Sequence, residues 1–127
     1  SGEAIDLSPS AHSPAPTVAE PIAHDQGPVV VTVEYHIDPA KLRHFRRIMK
    51  RVRRIRRRDG AFSWALLRDV AAPGRYTESF VVESWIEHLR QHERVTIADR
   101  AVLDKAKSFH IDATPPRVTH YVVDESP

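Results

Sequence analysis

From Val29 to Ile37 every second residue is apolar, with Val29, Val31, Val33, Tyr35 and Ile37 on one face and Val30, Thr32, Glu34 and His36 on the other. A β-branched run with that period predicts a strand. The period changes at Asp38-Pro39, where the aspartate can accept a bond from a free N-terminal amide and a proline at the first helical position forfeits no helix bond. Leu42, Phe45, Ile48, Met49, Val52 and Ile55 then recur at steps of three and four, an apolar stripe about five turns long. Asp59-Gly60 ends the helix, because glycine just past the last turn takes the left-handed conformation without a Cβ clash.

Alternation returns from Ala61 to Asp69, with Phe62, Trp64 and Leu66 opposite Ser63, Ala65 and Leu67. Ala72-Pro73-Gly74 turns the chain into a third strand, Arg75 to Glu83, so the two runs form an antiparallel hairpin. Ser84 with Glu87, and Thr96 with Asp99, fit the helix-start signal and predict a second helical region in two pieces, Trp85 to Arg94 and Ile97 to Phe109. Thr114-Pro115-Pro116 is expected to break it, and Val118 to Val123 is the last strand. The order strand, helix, strand, strand, helix, strand predicts an α+β, ferredoxin-like split βαβ fold (βαββαβ) with a four-stranded antiparallel sheet and both helices on one face. The other face carries more apolar residues than water-facing positions need, which points to a second sheet packed on it in a homodimer.

Composition sharpens this picture in three places. Residues 1–26 contain no Lys or Arg, four acids and four prolines, and are expected to be a disordered acidic linker before a folded domain at 27–127. There is no cysteine, so disulfides, thiol nucleophiles and thiolate zinc sites are excluded. No stretch approaches the ~18–20 apolar residues of a membrane helix, and nothing near the start reads as an export signal.

Charge is distributed unevenly. Eleven of the 19 Lys and Arg lie between Lys41 and Arg58 with no acid from Leu42 to Arg58, which leaves eight bases against 17 acids in the rest of the chain. The helix therefore presents a basic surface of Arg46, Arg47, Lys50, Arg53, Arg54 and Arg57. Three partners are open for it: nucleic acid, anionic lipid headgroups, or acids of the second helix or of a partner subunit. No aromatic interleaving accompanies the arginines, which makes nucleic acid the least favoured.

Four segments carry a resemblance: Val31 to Tyr35, Arg56 to Ala61, the long Glu83 to Thr96, and Pro115 to His120. They are similar to the C-terminal cytosolic domain of bacterial major facilitator superfamily exporters, the transmembrane secretion effector or siderophore-exporter-like permeases. Asp6 to Pro14 resembles the linker after the last membrane helix of that family, departing from it at Ser13, where a Trp is expected. The resemblance implies a dimeric α/β-barrel domain similar to antibiotic-biosynthesis monooxygenases, at the cytoplasmic face of the bacterial inner membrane. The implied partner is a membrane-embedded transporter domain, and the implied role is regulatory or assembly-related, with no catalytic residues to carry over.

Chemistry on such a fold would sit between the sheet and the second helix, where Trp64, Tyr76, Trp85, His88 and His92 form a candidate pocket. His92 falls where related barrel enzymes place a helix histidine, which makes a small oxygenase, haem-dependent or cofactor-independent, the alternative reading. The chain contains no asparagine, however, and oxygenases of this fold lean on one. His88 and His92 stand four residues apart, the spacing of a metal-binding pair, but a third ligand is missing and a core-edge pair is the expectation. No cofactor and no metal are expected. The leading expectation is a non-catalytic accessory domain.

Overall fold

The computed structural model describes residues 18, 19 and 21–125. Most of the expected linker, residues 1–17 and 20, lies outside the described residues. The elements are β1 (Val29–His36), α1 (Leu42–Arg58) after a 3-10 turn at Pro39–Lys41, β2 (Ser63–Arg68), β3 (Arg75–Val82), α2 (Trp85–Glu93), α3 (Ile97–Lys107) and β4 (Arg117–Val122). The strands form one sheet in the order β2-β3-β1-β4, every neighbour antiparallel. This is the ferredoxin-like α+β architecture that the order of periods predicts.

Several of the expected starts and stops are present in chemical detail, although the Asp38-Pro39 signal opens the 3-10 turn that leads into α1 rather than α1 itself. Asp38 accepts the Ala40 amide at 3.0 Å with Pro39 in the first turn. Gly60 closes α1 at φ 118°, a conformation in which a side chain would be strained. Thr96 and Asp99 form a reciprocal capping box at the start of α3. Thr96→Ala is expected to cost about 1 kcal/mol, read as a lower midpoint in thermal unfolding, and no change in midpoint would mean that the cap contributes nothing.

Alternation sets which face is buried. Register pairs Val31 with Phe80 and Tyr35 with Tyr76, and all four side chains face the helices and are buried. The α1 stripe packs on them: Phe45 lies 5.1 Å from Tyr35 and 6.1 Å from Tyr76 between ring centroids, and Val52 is fully buried. Val95, Val102 and Leu103 complete this cluster, while Val29, Val31, Phe80, Val82 and Trp85 form a second one at the other end of the sheet.

Three expectations change. The prolines at 115 and 116 do not stop the helix, because α3 already ends at Lys107, where the Ser108 amide bonds back to Asp104 and His110 then bridges to Ile37. Phe62 precedes β2 and is 58% exposed, although alternation grouped it with Trp64 and Leu66. The fold also reaches back beyond residue 27: Ile22 packs on the Trp85 cluster, and the Trp85 and Ile86 amides donate to the carbonyls of Gln26 and His24. Gly27 permits that approach, since a Cβ there would stand 2.3 Å from the Glu83 carbonyl oxygen.

The uncovered face of the sheet is mixed rather than mainly apolar. Its rows across the strands are Tyr121–Val30–Val81–Ser63, then Thr119–Thr32–Ser79–Ala65, then Arg117–Glu34–Thr77–Leu67. Apolar side chains thus gather at one end, where Tyr121 is about half exposed, while Leu67, also about half exposed, stands at the other end.

Candidate functional site

The five candidate pocket residues do not converge on one point. Tyr76 belongs to the Phe45 cluster, whereas Trp64 stands between the two clusters, with its indole N–H donating to Glu78 Oε2 at 2.9 Å. Trp85 and His88 do meet, at 5.6 Å between ring centroids. Ser84 caps α2 and fixes Trp85 as its first residue, and the helical turn then places His88 on the same inward side.

A residue absent from the candidate set completes this cluster. His120 on β4 is paired in register with Val31, so it faces the helices, and its ring lies 4.8 Å from His88 and 6.4 Å from Trp85. The period-2 pattern of the last strand carries the signal, because Val118, His120 and Val122 share one face. His92, one turn beyond His88, is half-buried, and its positive charge would disfavour protonation of both His88 and His120.

His88 is the unusual member. It is 95% buried and neither ring nitrogen has a hydrogen-bond partner. Burial, followed by the positive charge of His120, His92 and Arg56, pushes its pKa down to about 4, and burial likewise lowers that of His120. The imidazole is therefore neutral at physiological pH, with an unused donor and an unused acceptor. Among the described residues no three His, Cys, Asp or Glu side chains stand together as a metal site.

Beneath α2 lies a buried ion pair that periodicity does not reveal. Glu78 is fully buried in the middle of β3, and Arg56 from the last turn of α1 reaches it with Nε at 3.0 Å and Nη2 at 3.3 Å. The guanidinium also lies 4.5 Å from the centre of the Phe80 ring. Burial disfavours the charge on Arg56, but Glu78 more than offsets this and raises its pKa, while burial and the Glu78 charge raise that of Tyr35. Arg56, Glu78, Phe80 and Trp64 contact one another on the helix side of the sheet, and the imidazole of His88 is buried, so His88 offers no open ligand position to haem.

The basic helix remains largely unpaired. Of the eleven cations from Lys41 to Arg58, Arg56 pairs with Glu78 and Arg58 with Asp59 and Asp99, leaving nine with no acidic partner among the described residues. All six residues of the expected basic surface, Arg46, Arg47, Lys50, Arg53, Arg54 and Arg57, are exposed. The expectation that acids of the second helical region neutralise this face holds only at Arg58, because Asp99 is the one α3 acid that reaches it and Glu87 on α2 pairs with Arg90 and Arg94.

Sheet order and helix placement define a ferredoxin-like α+β domain. Compared with solved structures, the chain is similar to a Caulobacter crescentus protein named as an antibiotic biosynthesis monooxygenase, with TM-score 0.65, 17% identity, and 80% of this chain and 94% of that one covered. It is similar to a conserved protein of Methanosarcina mazei at TM-score 0.63 and 13% identity, covering 76% and 93% of the two chains. A Mycobacterium tuberculosis protein aligns at TM-score 0.61 and 18% identity, covering 80% and 100%. These likenesses establish the fold alone. The chain belongs to the transmembrane secretion effector family, whose model matches residues 1–127. No curated protein matches it. No helix among the described residues is long and apolar enough to cross a membrane.

Proposed function

We propose that this chain is a non-catalytic accessory domain of a major facilitator superfamily exporter, lying on the cytoplasmic side of the bacterial inner membrane and pairing as a homodimer through its open sheet face. The family match over the whole chain carries this reading, together with the lack of a membrane-crossing helix among the described residues. The Arg56–Glu78 ion pair and the buried imidazole of His88, on the helix side of the sheet where an oxygenase would hold its substrate, support a role other than oxygenation. The apolar row Tyr121–Val30–Val81 supports the dimer, since a sheet face of this kind gains by excluding water against a copy of itself.

Light scattering on the full chain at micromolar concentration is expected to give the mass of a dimer, and Val81→Glu, which places a charge in the middle of that row, is expected to give a monomer. A monomeric wild-type protein would remove the pairing. Haem added to the same sample should produce no Soret shift. Haem binding, or oxygen uptake that His92→Ala abolishes, would replace the accessory reading with the oxygenase one.

A further inference from the structure

The α3 side of the basic helix contains a groove of about 610 Å³ between α1 and α3. That volume falls within the roughly 300–1,000 Å³ of small-molecule sites. Lys41, His44, Arg47 and Arg51 line it from the α1 side and Lys105 from α3, while Ile48 and Phe109 supply an apolar floor. No acid lines it. Lys105 lies 5.4 Å from the centre of the Phe109 ring, so an ammonium stands directly beside the apolar surface.

Two chemistries are thus combined in one place. A floor of Ile48 and Phe109 excludes water without offering any hydrogen bond, which suits a hydrocarbon segment. The surrounding cations lack acidic partners among the described residues and repel one another, which suits an anion. A free phosphate would use only the cations. A duplex, like free phosphate, would use only the cations, and a single strand would gain nothing from base stacking, since none of the exposed large apolar residues lies on α1.

We infer that this groove binds the headgroup and first acyl segment of an anionic phospholipid, and so docks α1 and α3 onto a membrane surface. The inference rests on the accessory-domain reading only for placing a membrane nearby. Helical geometry makes it specific to one side of α1: at ~100° per residue, Arg47 and Arg51 point toward α3, whereas Arg53 and Arg57 lie on the opposite flank.

The test is co-sedimentation of the full chain with phosphatidylcholine vesicles containing about 30% phosphatidylglycerol, compared with phosphatidylcholine alone. Binding is expected only to the anionic vesicles, and should weaken steeply between ~0.1 and ~0.5 M salt. Arg47→Glu with Arg51→Glu should lower the affinity at least about tenfold, while Arg53→Glu with Arg57→Glu, an equal change of net charge, should lower it less than about threefold. All four positions are exposed, and an unchanged circular dichroism spectrum confirms that each variant is folded. Equal losses from the two pairs would overturn the groove in favour of diffuse attraction. Displacement by inorganic phosphate at constant ionic strength would overturn the acyl contact, and tighter binding to duplex DNA than to the vesicles would overturn the lipid. None of these failures would alter the dimer mass or the haem result, which bear on the accessory-domain reading.

Discussion

Glu78→Ala is expected to lower the unfolding free energy by about 3–5 kcal/mol, the cost of leaving a buried charge without its partner. Glu78 is fully buried, and the side chain of Arg56 is only 16% exposed, so neither group regains much hydration in the folded protein. Removing the carboxylate orphans the two guanidinium donors and also the Trp64 indole N–H. Replacing both members by apolar groups of similar volume, Arg56→Met with Glu78→Leu, has a different sign of argument, because no buried charge is then left behind. That double variant should recover most of the loss, with Trp64 still unpaired at a cost of about 1–3 kcal/mol. Urea unfolding of the three proteins measures both quantities. A Glu78→Ala loss below about 1 kcal/mol would mean that the pair is hydrated and behaves as a surface salt bridge.

The pair also shows where reading the sequence ends. Strands, helix limits and the buried face followed from positions whose chemistry is local: a glycine at 60, a capping threonine at 96, a proline at 39, and alternation from Val29 onward. Glu78 sits between Tyr76 and Phe80 on the buried face of β3, so the period alone would place an apolar residue there. Its partner lies 22 residues away at the end of a helix otherwise rich in solvated arginines, and nothing local separates Arg56 from its neighbours. The pocket residues divide in the same way. Trp85 and His88 are neighbours on one helix and were legible together, whereas His120 joins them only through the β1–β4 register, a contact that spans the whole domain. Tyr76 shares a strand with Glu78, but the length of the strand carries it to the opposite cluster.

His88 gives the second large effect, and the sign follows from its direction of shift. Its pKa falls from 6.5 to about 4 in the folded protein, so folding favours the neutral ring. The corresponding stability is fully present above pH 6.5 and is lost as the pH falls toward 4, because the unfolded chain takes up the proton first. At 1.36 kcal/mol per pKa unit, the loss amounts to roughly 2–3 kcal/mol by pH 4.5. His88→Phe keeps an aromatic ring against Trp85 and His120 and removes both unpartnered nitrogens. It should raise stability at pH 7 by about 1–3 kcal/mol, and the gap over the wild type should widen on acidification. Urea unfolding at a series of pH values reads the difference between the two proteins, which cancels His120 and the other titrating groups common to both to the extent that their environments are unchanged. Parallel curves would show that the imidazole gains a proton in the folded state as readily as in the unfolded one, and hence that the cluster around Trp85 is open to water. The His88 ring signal, followed by NMR, should titrate near pH 4 in the wild-type protein, so the same conclusion is reached without a substitution.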